Sequence, residues 1–397
     1  GSAGSCSASS GYPTSGENAV IENNHFVQID TSPNTTLDVG NVTVKDDGTL
    51  QPSLTPEETR SFTPDDIEVL SEGSGGALLE FVNSGSGSLD ITASGTFTNE
   101  ETVTISGQSF TVNGSGQSTN SGSITVGSGG LLEVNHDFLN FSAGDLTYDD
   151  GTIEFAEDFQ NSGTVGTSSS SLAKFDGGGD TQTISGDNLT GDNGGFAGLT
   201  VTSNSMVDPA PNNGQIDVTG ALTVGSGGQY GTDPEGLGQE DADLRYEGES
   251  FSVDGELFAD VVDFAAGNVG DSYTTVEGAV FAKVDIINNT AVEVGSSSFT
   301  VNGPVFVNSG NVLNVQNNGT TLELASDFQN NGTIEAATQG TIKFNGEGEE
   351  TDCSLQGSDL ECARTTGDPA DKNNIQEYAG ASANYNALRI QDDNDDG

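Results

Sequence analysis

One stretch occurs twice in this chain without a gap. Residues 158–179 read DFQNSGTVGTSSSSLAKFDGGG, and residues 327–348 read DFQNNGTIEAATQGTIKFNGEG. Asp158 and Asp327 are 169 residues apart, and so are Lys174 and Lys343. A weaker copy of the opening, DFLNFSAGDL, starts at Asp137, 21 residues before Asp158. SFTVNG stands at 109–114 and again at 298–303, and VGSGG at 126–130 and 224–228. From Asp137 to Asp327 is 190 residues, so the long offsets of 169 and 190 differ by the same 21. Self-similarity at a period of about 20–50 residues marks a repeat array, and the spacing here predicts coils of about 21 residues.

Within the repeats, apolar residues alternate. Phe299 and Val301, Val305 and Val307, Leu313 and Val315, Leu322 and Leu324, and Ile342 and Phe344 are i, i+2 pairs separated by Gly, Asn, Ser or Asp. That is the period of a short strand with one apolar face. Only 256–266, ELFADVVDFAA, is ambiguous between helix and strand. A strand of four residues cannot bury its side chains alone, whereas stacked coils turn every apolar face to a common axis. Gly and Asn suit the corners, and stacked Asn side chains suit amide ladders. The fold class expected is all-β, a parallel β-solenoid (β-helix) with non-repeat strand segments at its N- and C-terminal sides. Residues 1–66 read as an N-terminal segment with strands and a linker, QPSLTPEETRSFTPDD at 51–66. Residues 67–362 read as the solenoid, and 363–397 as a C-terminal strand, YNALRI at 385–390, followed by an acidic tail.

Charge narrows the environment and the partners. The chain carries 61 acidic and 9 basic residues among 397, a formal net charge of -52. Self-repulsion of this size opposes a compact state in dilute buffer. Molar salt shortens the Debye length to about 3 Å and screens it, so the balance reads as halophilic, with an acidic extracellular protein that binds calcium as the competing reading. Nucleic acid and anionic membrane surfaces are excluded as expected partners, since both are held by clustered Lys and Arg. No run approaches the 18 apolar residues of a membrane span. The opening GSAGSCSASSG lacks the basic and apolar regions of a signal peptide.

Candidate chemistry is sparse. Cys353 and Cys362 close a short loop, DCSLQGSDLEC, and read as a disulfide of an oxidising compartment, with Cys6 left over. His25 and His136 are the two histidines, and neither comes with a nucleophile motif, so both read as surface or packing residues. Asp392, Asn394, Asp396 and Gly397 match the opening of a calcium loop, which makes calcium the one cofactor with a candidate site; the competing reading is an acidic tail. No catalytic residue is assigned, and the expectation is a protein that is not an enzyme. With no Trp and 7 Tyr, an aromatic platform for sugars is poorly supplied. Asn-x-Ser/Thr sequons, such as those at Asn34 and Asn41, read chiefly as turns in so Asn-rich a chain.

The region 67–350 resembles the β-solenoid surface proteins of bacteria and archaea, of the autotransporter-like and filamentous-adhesin-like kind. The likeness rests on D-F-x-N-x-G-T followed by G-T-x-x-F-N-G. It is carried by Asp158, Phe159, Asn161, Gly163 and Thr164, and again by Asp327, Phe328, Asn330, Gly332 and Thr333, closed by Gly340, Thr341, Phe344, Asn345 and Gly346. The first copy departs from it with Leu172-Ala173 where the second has Thr341-Ile342. The resemblance implies an extracellular or cell-surface structural or adhesive element, with surface glycans as candidate partners. An open solenoid leaves unpaired strands at its ends, and the out-of-period segments 18–30, 36–44 and 385–390 read either as caps folded back on the same rod or as strands added to a neighbouring copy, which would make a homo-oligomer or filament. A carbohydrate-active β-helix enzyme and a calcium-dependent binding module remain as alternatives.

Overall fold

The computed structural model describes residues 16–22, 25–29, 36–52, 59–71, 76–82, 88–167, 170–186, 189, 195–209, 215–231, 243–248, 250–257, 259, 261–266, 274–277, 280–281, 284–287, 290–294, 299–301, 305–315, 321–324, 328–335, 341–344, 351–356, 359–364, 377–380, 383–384 and 388–390. Among these the chain is all β, with no helix. Its strands run three to a turn and pair in parallel with the strands of the turns before and after, which makes it a parallel β-solenoid. The contacts divide it into two compact units, residues 1–198 and 199–397.

In the first unit each turn contributes one strand to each of three faces. On the first face, Ala19–Ile21, Val42–Lys45, Ile67–Leu70, Phe97–Asn99, Gln117–Asn120, Asp137–Asn140, Phe159–Asn161 and Thr181–Gly186 stack in that order. The second face runs from Phe26–Ile29 to Thr164–Thr167 and the third from Thr36–Asp38 to Leu172–Phe175. Coil length is elastic: 20 residues separate Asn120 from Asn140, 25 separate Thr43 from Glu68 and 30 separate Asp66 from Thr96. The strands around 19–45 therefore share the stacks of the repeat, although longer loops hide the period in their sequence. The stretch 51–66 that reads as a linker is not strand-free: Thr49–Pro52 runs into it and Thr59–Thr63 lies within it, while 53–58 lie outside the described residues.

Register follows the inward alternation. Val126 pairs with Tyr148 and Leu132 with Ile153, each buried, while Thr125 pairs with Thr147 and Glu133 with Glu154 outside. A slip of one residue would turn every such row inside out, which is why the pattern fixes the pairing. Phe159, inward as its repeat position requires, stacks on Phe155 with centroids 4.6 Å apart and on Phe138 at 6.3 Å. The Gly of the repeated motif is explained in both copies. A Cβ at Gly163 would stand 2.1 Å from the Gly144 oxygen, and one at Gly332 would stand 2.5 Å from the Asn311 oxygen. Where one coil corner passes so close above another, only hydrogen fits. The corner at Asp149–Gly151 places Asp150 at φ 58, and Asp46 and Asp47 lie at φ 49 and 61, so the acid–Gly pairs are turns.

The second unit is built the same way. Gln215–Val218, Asp243–Tyr246, Val262–Phe264, Val284–Ile286, Val305–Val307, Phe328–Asn330 and Glu377–Gly380 form one continuous stack. Leu199–Val201 starts a second stack that ends at Ala383–Asn384. The third side is divided between a stack from Met206–Pro209 to Glu256–Leu257 and one from Val280–Phe281 to Leu388–Ile390. The ambiguous stretch 256–266 is resolved into the strands Glu256–Leu257 and Val262–Phe264. Phe328 is buried at the place equivalent to Phe159. One antiparallel element departs from the pattern, the paired strands Thr351–Gln356 and Asp359–Arg364.

Candidate functional site

The most ordered polar feature is internal. At the end of each first-face strand, Asn99, Asn120, Asn140 and Asn161 replace the Val44 and Val69 of earlier coils, and all four are fully buried. Asn99 Nδ2 donates to Asn120 Oδ1 at 2.7 Å, Asn120 Nδ2 to Asn140 Oδ1 at 2.7 Å, and Asn140 Nδ2 to Asn161 Oδ1 at 2.7 Å. Each amide also reaches the corner that follows: Asn140 Nδ2 donates to Thr164 O at 3.1 Å and Asn161 Nδ2 to Gly163 O at 3.3 Å. The ladder ends where the next register position is Gly186, at φ 133. In the second unit, the buried Asn330 also bonds its own corner but in the opposite sense, its Oδ1 accepting Gly332 N–H at 3.0 Å. An amide that satisfies both its neighbour and the turn suits a corner that water cannot reach.

His136 is also internal. Phe97, Ser118, Phe138 and Phe159 form one inward column, and Ser118 is its one polar member. Ser118 Oγ accepts Phe97 N–H at 2.9 Å and stands 2.6 Å from His136 Nε2. Which of Ser118 Oγ and His136 Nε2 donates depends on the imidazole tautomer, since the hydroxyl can both donate and accept. Burial lowers the His136 pKa, against the Gly114 carbonyl and the Asp137 carboxylate, which raise it. Ser118 is fully buried, so this Ser–His contact holds a corner and offers no nucleophile to solvent. Nothing in the sequence pairs residues 18 apart, and the contact was not legible there.

The outer surface is a set of columns. On the second face, Thr104, Thr125 and Thr147 stand in register, beside Thr102, Ser123, Asp145 and Thr164. Asp145 Oδ1 accepts Thr164 Oγ1 at 2.9 Å. On the third face the column is Thr92, Thr111, Glu133, Glu154 and Lys174. Thr111 Oγ1 donates to Glu133 Oε2 at 3.1 Å, and Lys174 Nζ lies 3.7 Å from Glu154 Oε2. Desolvation is the main cause that raises the Glu154 pKa, with Glu133 and Asp176 adding to it and Lys174 opposing. The repeat carries the pairing over: Glu323 and Lys343 are register partners in the second unit.

The other sequence candidates divide into three groups. Asp392, Asn394 and Asp396 lie outside the described residues, as does Cys6. Cys353 and Cys362 are direct partners in the antiparallel pair. His25 is exposed at the end of the first coil's opening loop. Among the described residues no three His, Cys, Asp or Glu side chains converge on a metal position, and no helix is long and apolar enough to cross a membrane. No family model, curated protein or solved structure matches this chain.

Proposed function

We propose that this chain is an extracellular or cell-surface structural element with adhesive capacity, adapted to high salt, which associates with further copies of itself by strand addition. The observation that carries this reading is the outer surface of the first unit. There hydroxyls and carboxylates recur at the strand spacing of about 4.7–4.9 Å along flat columns. Such a surface repeats one weak contact many times, which suits a repeating, hydroxylated partner such as a surface glycan. Self-association is supported by the first coil. Among the described residues, no strand pairs with the outer edges of Ala19–Ile21, Phe26–Ile29 or Thr36–Asp38. Val20 and Phe26 are 57% and 41% exposed beside them. Exposed sheet edges accept strands, Asp38 being the one charged residue in these three segments, and head-to-tail addition of a second copy extends into a filament when the rotation does not close.

The test is a pair of edge variants, Val20→Lys and Phe26→Lys, compared with the parent chain by sedimentation and negative-stain electron microscopy in molar salt. Linear assemblies are expected from the parent, with shorter or monomeric species from the double variant. Identical assembly in both would remove the first-coil edge from the interface.

A further inference from the structure

Among the described residues, the hairpin of Thr351–Gln356 and Asp359–Arg364 is the one element of the second unit that pairs antiparallel. Phe328–Asn330 pairs in parallel with Glu377–Gly380, through Phe328↔Tyr378 and Asn330↔Gly380. The far edge of Glu377–Gly380, where the strand of a further coil would pair, is taken instead by Asp359–Arg364, through Leu360↔Tyr378 and Glu361↔Glu377. Thr351–Gln356 pairs in turn with Asp359–Arg364, from Thr351↔Arg364 to Gln356↔Asp359. Two antiparallel strands thus extend this sheet by about 9–10 Å, at 4.7–4.9 Å each, past the last parallel strand. A flat stack of coils cannot continue over that projection.

Gly357 and Ser358 are the only residues between the two strands. A two-residue connection is the shortest that joins antiparallel strands. In such a hairpin the flanking pair, here Gln356↔Asp359, is hydrogen-bonded, and pair types alternate outward. Cys353↔Cys362, three pairs along, therefore falls on a non-hydrogen-bonded pair. Opposite Cα atoms approach to about 4.5 Å at such pairs, inside the range of about 4.4–6.8 Å that a disulfide spans. Period two also places Cys353, Leu355, Leu360 and Cys362 on one face of the hairpin. In register, Leu360 continues the row of Tyr378 and Phe328.

We propose that Cys353 and Cys362 are joined by a disulfide that fastens the hairpin as a cap over the edge of Glu377–Gly380, so that the last parallel strand is covered by antiparallel ones. The bond forms by thiol–disulfide exchange. One thiolate attacks a low-molecular-weight or protein disulfide, and the second thiolate then displaces the mixed disulfide. Two cysteine thiols are oxidised to one disulfide, and the oxidant's disulfide is reduced to two thiols, which take up the two protons. Edge capping is a standing need of open sheets, and the cap stands on its own whether or not copies associate at the first coil.

The experiment uses the full chain purified without reductant. Peptide mapping is expected to find residues 353 and 362 in one linked species, two hydrogens lighter than after reduction. Amide exchange over Glu377–Gly380 is then compared between the unreduced chain, the reduced chain and the Cys353→Ser, Cys362→Ser double variant. Exchange is expected to be at least about tenfold faster in the latter two, because the edge strand opens locally once its cover is released. Alkylation of both thiols in the unreduced chain, or a bond from either to Cys6, would overturn the linkage. Equal exchange in all three forms would overturn the cap. Neither readout depends on assembly, so the strand-addition reading can fail while this one stands, and the reverse.

Discussion

At the scale of single residues, the interior contains polar groups whose costs have opposite signs. His136 is held neutral by burial, so its folded pKa lies below the ordinary value of 6.5. As pH falls, the unfolded chain takes the proton first. The stability that His136 contributes is full above about pH 6.5 and is lost as pH falls through the lower folded value. Asp137, next to it in the chain, and the Glu157–Asp158 corner of the next coil are the carboxylates at this place. Glu154 and Glu157, raised chiefly by desolvation, work the other way: their penalty at neutral pH fades as they protonate. The His136 effect is therefore read as a difference. The stability gap between the parent and His136→Gln should narrow between about pH 7.5 and about pH 5, and an unchanged gap would show that His136 does not titrate with folding. Tyr148 offers a simpler case. Its hydroxyl is buried without a partner among the described residues, and burial raises its pKa. Tyr148→Phe should stabilise the chain by about 1 kcal/mol in denaturant titrations, since it removes only an unsatisfied group.

At the scale of the element, a coil is held by its neighbours rather than by itself. The strands are three to six residues long over most of the array, too short to persist alone. Asn140 sits in the middle of the ladder, accepting from Asn120 and donating to Asn161. Asn140→Ala leaves an unsatisfied group on each side, at about 1–3 kcal/mol each. A smaller loss from Asn161→Ala, at the ladder's end, is the expected companion result, and equal losses would mean that the rungs act independently. These positions were partly visible in the sequence. Asn at 99, 120, 140 and 161 keeps the coil spacing, and corner amides suit stacking. The direction of each amide and the Ser118–His136 contact were not visible, because both depend on which atoms of adjacent coils meet.

At the scale of the whole molecule, the net charge of -52 dominates. Lys45 with Glu22, Lys174 with Glu154 and Arg245 with Glu247 form ion pairs, at 3.7, 3.7 and 2.7 Å. All are at least partly solvated, and such pairs are worth little individually. Most carboxylates stay uncompensated, and parallel stacking brings like groups such as Glu133 and Glu154 into one column. Screening by salt should act on all of them together. The melting temperature should rise steadily from dilute buffer to molar sodium chloride, and a flat curve would count against adaptation to salt.

What the sequence determined by itself was the class of fold and its inward face. Alternation at period two, broken at Gly and Asn and repeated at near-constant spacing, leaves few ways to bury Phe159 and Phe328 other than stacked parallel strands. Local pattern suffices there because each side chain's side of the strand is set by its own position. The tertiary structure decided which strands stack, how far coils stretch and how the edge of Glu377–Gly380 is covered. The strands around 19–45 pair with the repeat across coils of changing length, and the 351–364 hairpin pairs in the opposite direction from its neighbours. Pairing between strands is a contact between distant residues, and loop length costs too little entropy to fix it, so no local spacing encodes it.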